Sequence, residues 1–203
     1  MTGESINQLR AAGAQPGGRP SAPGRLAIVQ AFVNTHFDLG VRFGADRLHS
    51  PAALADWMRT VGWAPLGRLT AIDLIHALTL RESLRTAAAA GPDRDAGSAA
   101  AARLDAIAAQ ARVELRFGPD GATVTGARSA GLPGATGDLL AIVAEAMRDG
   151  SWSRMKVCPG EHCGWLFYDG SRNRSGRWCS MSVCGGRVKA RRHYRRAHGG
   201  SWV

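Results

Sequence analysis

The chain has 203 residues, enough for one ordinary core and a small satellite module. No stretch approaches the ~18 consecutive apolar residues of a membrane span, and the N-terminus lacks the apolar run of a signal peptide, so a cytoplasmic protein with no membrane partner is expected. The net charge of +10 is unevenly placed: from Ser151 onward eleven bases face only Glu161 and Asp169, whereas the first 150 residues set fifteen bases against fourteen acids. A near-neutral body with a cationic tail is the electrostatic outline of a protein that docks on a polyanion; a tail kept for solubility is the blander reading.

Residues 1–24 are rich in Gly, Pro, Ala and Arg and read as a disordered leader. Residues 25–150 form the body. The apolar run from Leu26 to Val33 fits a strand or a helix, because short apolar runs do not separate the two. Ser50-Pro51 starts a helix with Ser as cap; Leu54, Trp57, Met58 and Val61 form its stripe, and Gly62 closes it. A longer helix begins at Thr70, with Asp73 placed for a capping box. Ala77, Leu80, Leu84 and Ala88 line its buried side, and Gly91-Pro92 ends it. A loop to about Gly97 leads to a third helix bearing Leu104, Ile107, Ala108 and Ala111. Val113, Leu115 and Phe117 alternate with Glu114 and Arg116, and Pro119-Asp120-Gly121 turns the chain into a returning strand, Ala122 to Thr125. Thr136 or Asp138 opens a fourth helix with Leu139, Ile142, Val143 and Ala146 at helical spacing, ended by Gly150. The expected fold class is α+β, mainly α, with one hairpin in the body.

Residues 151–198 form a second module, with 199–203 as a tail. Cys158, Cys163, Cys179 and Cys184 are spaced C-x4-C-x15-C-x4-C and are all the cysteines present. Two close pairs bring four soft ligands to tetrahedral corners, so one structural Zn2+ is expected; the x4 spacing is wider than the commonest x2. A pair of redox disulfides would use the same residues, and His162, His193 or His198 could enter a mixed shell. Trp165 to Tyr168 reads as a short aromatic strand. Trp165 and Trp178 either pack around the metal or stack on bases, and packing is preferred. After Cys184 the sequence reads as a helix ending at Gly199, with Val188 and Tyr194 as inward contacts. Arg187, Lys189, Arg191, Arg192, Arg195 and Arg196 on that helix, with Arg172, Asn173, Arg174 and Arg177 in the preceding loop, are the candidate nucleic-acid contacts.

The run CGWLFYDGSRNRSGRWCSMSVCGGRVKARRHYRR, from Cys163 to Arg196, closely resembles the CGNR zinc-finger family. Phe32-Val33-Asn34-Thr35 and Leu80-Arg81-Glu82-Ser83-Leu84-Arg85 in the body resemble the ABATE domain that accompanies it. The resemblance implies a bacterial, stress-induced transcriptional regulator in which the four cysteines bind zinc, a treble-clef-like finger contacts DNA and the body senses something. The chain departs from the family at Cys184-Gly185-Gly186-Arg187, where Gly186 replaces Asn.

Asn34, Thr35, Arg81, Glu82 and Arg85 are polar residues set in apolar stretches. They are candidates for a pocket holding a small anionic effector; the competing and preferred reading is a structural network. The leading function is a regulator on double-stranded DNA in the nucleoid, with a body that senses a ligand or forms a homodimer. An RNA-binding or ribosome-associated module is the alternative. An enzyme is not expected, because four thiolates close the metal shell.

Overall fold

The computed structural model describes residues 15–37, 46–91, 94–119, 121–127 and 130–197, without the side chains of 94–96, 121, 192 and 195. The expected leader up to residue 14, Pro92, Asp120, His198 and the tail at 199–203 lie outside the described residues.

The ambiguous apolar run is a helix, α1 (Leu26–Val33), with only Ala31 not fully buried. A helix surrounded on all sides by core shows no polar face, which is why its sequence carries no helical period. α2 (Pro51–Thr60) starts as expected: the Ser50 hydroxyl accepts the Ala53 N–H at 3.2 Å, and Leu54, Met58 and Val61 are buried. α3 (Ala71–Ala90) opens with the full capping box, Thr70 Oγ1 accepting from Asp73 N and Asp73 Oδ2 from Thr70 N. Its expected stripe of Ala77, Leu80, Leu84 and Ala88 is buried. α4 (Arg94–Ala108) starts before Gly97, and Ala100 and Leu104 are its buried contacts, while Ala108 is exposed and Ala111 lies beyond its end.

β1 (Val113–Gly118) and β2 (Gly121–Gly126) pair antiparallel, with Leu115 opposite Val124. α5 (Gly131–Arg148) begins at Gly131 and not at Thr136 or Asp138. Pro133 fits the first turn, where its missing N–H costs nothing. Asp138 is therefore no cap; it is a buried hub accepting from Arg25 Nη2 at 2.8 Å, Gly126 N at 3.0 Å and Trp63 Nε1 at 2.9 Å. The hairpin base lies directly on α5. A Cβ on Gly126 or Gly134 would come within 1.8 and 2.0 Å of backbone carbonyls, so both must be glycine despite their helix and strand cost.

A 3-10 turn (Ser151–Arg154) leads into β3 (Met155–Val157), which pairs antiparallel with β4 (Leu166–Tyr168). A π turn (Met181–Gly185) runs into α6 (Gly186–Ala197). The finger shares the body's core: Met155 and Leu166 are buried in the same cluster as Ile28, Phe32, Leu84 and Leu139. A second cluster gathers Trp165 and Phe167 around the four cysteines.

Residues 15–24, assigned by composition to the leader, are packed structure. Arg19 donates to the carbonyls of Cys179, Trp178 and Tyr168 and stacks over Phe167, 4.7 Å from the ring centre. Ala22 is fully buried and its N–H reaches Gln30 Oε1 at 2.7 Å. Low hydrophobicity misleads here because this segment is held mainly by hydrogen bonds and the stacked Arg19, with Ala22 as its one buried apolar residue.

Candidate metal centre and nucleic-acid interface

The β3–β4 connection carries Cys158 and Cys163, Cys179 lies just before the π turn, and Cys184 lies within it. All four are buried, unbridged, and have sulfurs within 4.8 Å of one another. Cys163 and Cys179 sulfurs are 3.7 Å apart, and Cys179 and Cys184 sulfurs 3.6 Å. A disulfide needs about 2.05 Å, whereas a tetrahedron with zinc–sulfur bonds near 2.3 Å has edges of about 3.8 Å. The geometry fits one zinc ion held by four thiolates, and no histidine is needed to complete the shell.

The electrostatics point the same way. Thiol contacts from Cys163 and Cys179, with backbone N–H groups of Cys179 and Gly160, pull Cys158 down to about 2. Its negative charge pushes Cys163 up to about 12 and Cys179 up as well, through the hydrogens they share with it. Four sulfurs this close hold a second or third thiolate only with a cation among them, and a divalent ion replaces those protons. Gly160 sits at the rim of the cluster: a Cβ there would lie 3.1 Å from Cys184 Sγ and 3.4 Å from Cys163 Cβ. Gly160→Ala should therefore weaken zinc affinity about tenfold. Competition with a chromogenic chelator measures this, and an unchanged affinity would mean the cluster relaxes around the methyl group.

The candidate nucleic-acid residues fall on two adjoining elements. Among described side chains of α6, every one from Arg187 onward is exposed, including Arg187, Lys189, Arg191 and Arg196; the side chains of Arg192 and Arg195 lie outside the described set. Val188 and Tyr194 do not face inward: they are 38% and 57% exposed. The physical reason is that α6 leaves the finger from the π turn, and beyond Gly186 none of its described side chains is buried. Glu161 forms an ion pair with Arg191. Gly186 donates its N–H to the Met181 carbonyl, closing the π turn, and a Cβ there would lie 3.3 Å from that oxygen. The glycine thus relieves crowding at the point where the wide turn tightens into an α-helix.

Arg172, Asn173, Arg174 and Arg177 are exposed. Arg174 bonds Ser153 Oγ at 3.1 Å, and Arg177 stacks on Trp178 at 5.1 Å, which in turn lies against the Gly185 position at the start of α6. Trp165 is buried, its indole N–H bonded to Gln15 Oε1 and its ring edge-on to Phe37 at 4.5 Å.

Sequence reasoning passed over the residue that shapes this loop. Asp169 is fully buried and accepts from Lys156 Nζ (2.7 Å), Ser171 N and Oγ, and Gly176 N (2.7 Å). Burial alone would raise its carboxyl, but the Lys156 ammonium, the Ser171 hydroxyl and the two backbone N–H groups outweigh that and hold it well below the ordinary carboxylate range. Lys156 and Arg154 also bond loop carbonyls, so these two bases build the loop rather than extend its charge. The place of Asp169 as one of only two acids among the eleven bases from Ser151 onward was the available signal.

Four of the five polar residues of the body, Thr35, Arg81, Glu82 and Arg85, form one hydrogen-bonded chain, and Asn34 stands apart from it, bonded to β4. Asn34 pairs with both backbone groups of Leu166 in β4, each at 2.8 Å. Arg81 makes two 2.8 Å bonds to Asp46 and others to Thr35 and Glu82. Arg85 donates to Glu82, to the carbonyls of Val33 and His36, and to that of Gly164 beside the zinc ligand Cys163. Thr35 Oγ1 bonds the Phe32 carbonyl at 2.7 Å. These side chains thus join α1, α3 and the finger. No helix of the described residues is long and apolar enough to cross a membrane.

Residues 154–197 match the profile of the CGNR zinc finger, and residues 24–149 match that of the ABATE family. A comparison with curated proteins found no match. The ABATE match spans more than half of the chain, which therefore belongs to the family of putative stress-induced transcription regulators, here joined to a CGNR zinc finger.

Proposed function

We propose that this protein is a DNA-binding transcriptional regulator of the cytoplasm and nucleoid. The observation that carries the reading is α6: a twelve-residue basic helix whose described side chains beyond Gly186 are all exposed, launched by the zinc ligand Cys184. Twelve residues span about 18 Å, a length and width the major groove of duplex DNA accepts. The Arg172–Arg177 loop beside its first turn supplies further cations for phosphates. Zinc has a structural role in this scheme: it fixes the turn from which the helix starts. The polar residues Asn34, Thr35, Arg81, Glu82 and Arg85 are read as ties between body and finger and not as an effector pocket.

Binding of the zinc-loaded protein to a duplex of unrelated sequence should weaken steeply with salt. Neutralising six phosphates corresponds to a loss of about a thousandfold between 50 and 200 mM. The triple variant Arg187→Ala, Arg191→Ala, Arg196→Ala should bind at least tenfold more weakly and show a slope shallower by about one for each phosphate left unneutralised. Fluorescence anisotropy across a salt series reads both. No detectable duplex binding at low salt by a folded, zinc-loaded protein would overturn the reading. Structured RNA belongs in the same assay as competitor. The burial of Trp165 removes one of the two stacking platforms an RNA module would use.

A further inference from the structure

The body hairpin presents an apolar face that its own chain does not cover. Val113, Leu115 and Phe117 share one face of β1 and are 55%, 58% and 81% exposed, and Val124, opposite Leu115, is 50% exposed. β2 is laid against α5 through Gly126. β1 pairs with β2 alone among the described strands, so every second residue of β1 turns its N–H and C=O outward. A two-stranded ribbon is marginal by itself, and an open apolar edge is a template for another strand.

We infer that the partner of this open edge is a second copy of this chain, its β1 paired antiparallel with β1 about a two-fold axis through Leu115, which extends the sheet and brings the two apolar strips side by side. The sequence Val113-Glu114-Leu115-Arg116-Phe117 is self-complementary in that register alone. Centred on Leu115, it sets Glu114 opposite Arg116 of the second copy twice over, and Val113 opposite Phe117 on the apolar face. Centring on Glu114 would oppose two glutamates, and centring on Arg116 two arginines. A slip by one residue would bring polar against apolar side chains on each face. Within one chain Arg116 Nη2 already lies 2.7 Å from Glu114 Oε2 at the surface, so the dimer sets four alternating charges side by side over a continuous apolar face. The contact is small, and the dimer it makes is concentration-dependent. A homodimer of this kind also presents two copies of α6.

Sedimentation velocity on the full zinc-loaded chain, without DNA, tests this between about 1 and 100 µM, the range expected for a small interface. The wild type should show a dimer growing with concentration. Glu114→Arg alone and Arg116→Glu alone each create two like-charge pairs and should weaken it about tenfold or more. An equimolar mixture of these two variants should dimerise again, because each arginine then meets a glutamate of the other chain. Leu115→Lys provides a second disruption, on the apolar face, with zinc content and circular dichroism checking that each variant is folded. A wild type monomeric throughout, variants that sediment as the wild type does, or a mixture that stays monomeric would each overturn the inference. The measurement involves no DNA, so its failure leaves the DNA-binding reading standing.

Discussion

Removing the metal, by chelation or by Cys179→Ser, should lower the melting temperature of the whole chain and not merely loosen its last fifty residues. Structural zinc contributes on the order of 10 kcal/mol or more to small fingers, comparable with the net stability of an entire domain. Here that contribution does not stay local. Leu166 lies one strand residue from the metal cluster's Phe167, yet it is fully buried in the body's core and is clamped at both backbone groups by Asn34. Gln30, also fully buried, adds a 3.2 Å bond to the same carbonyl. Arg85 ties α3 to Gly164, next to Cys163. If the finger unfolds, these buried polar groups lose their partners, at about 1–3 kcal/mol each. Thermal melts followed by far-ultraviolet circular dichroism and tryptophan fluorescence should shift together on adding chelator. An unchanged helical transition alongside a lost tryptophan signal would show that body and finger are independent.

Asp138→Ala should cost about 3 kcal/mol, a fall in Tm of about 6–12 °C for a chain of this size, without altering zinc binding. The carboxylate joins four elements: α5 that carries it, Arg25 at the head of α1, Trp63 after α2 and Gly126 at the end of β2. Truncation leaves a buried indole N–H and a buried backbone N–H without partners and deprives Arg25 of its acid. The same site gives a signed pH dependence. Burial would raise the Asp138 carboxyl above 3.8, but the Gly126 N–H, Arg25 and the Trp63 indole together hold it below that value. A depressed carboxyl stabilises the fold fully above the unfolded value, and that stability is lost as pH falls through about 4 toward the folded value. Asp138→Asn, lacking the charge, should show a smaller fall in Tm than the wild type between pH 5 and pH 3. A parallel fall in both proteins would place the acid sensitivity elsewhere.

Much of this was readable in the sequence where a local rule governs. Ser50-Pro51, the Thr70–Asp73 box and the glycines at 62, 91 and 150 act within one turn of themselves, and the helices begin and end there. The four cysteines were readable because a metal site needs few residues of one rare type at fixed spacing. Asp138 misled because a capping residue and a buried acid look alike until the partners, as far away as Arg25, are known. Val188 and Tyr194 misled because apolar residues on a helix imply a buried face only if something lies opposite.

What the sequence by itself determined is therefore local and chemical: those helix ends that a cap or a glycine sets, the hairpin, the zinc ligands, the cationic end and the family. Only the tertiary structure decided that residues 15–24 are fixed against the finger, that Leu166 joins the finger to the body's core, and that one face of β1 remains uncovered. The reason is that these features depend on pairings between residues up to 160 positions apart, such as Arg19 with the Cys179 carbonyl, and no local period or propensity encodes which buried donor meets which acceptor.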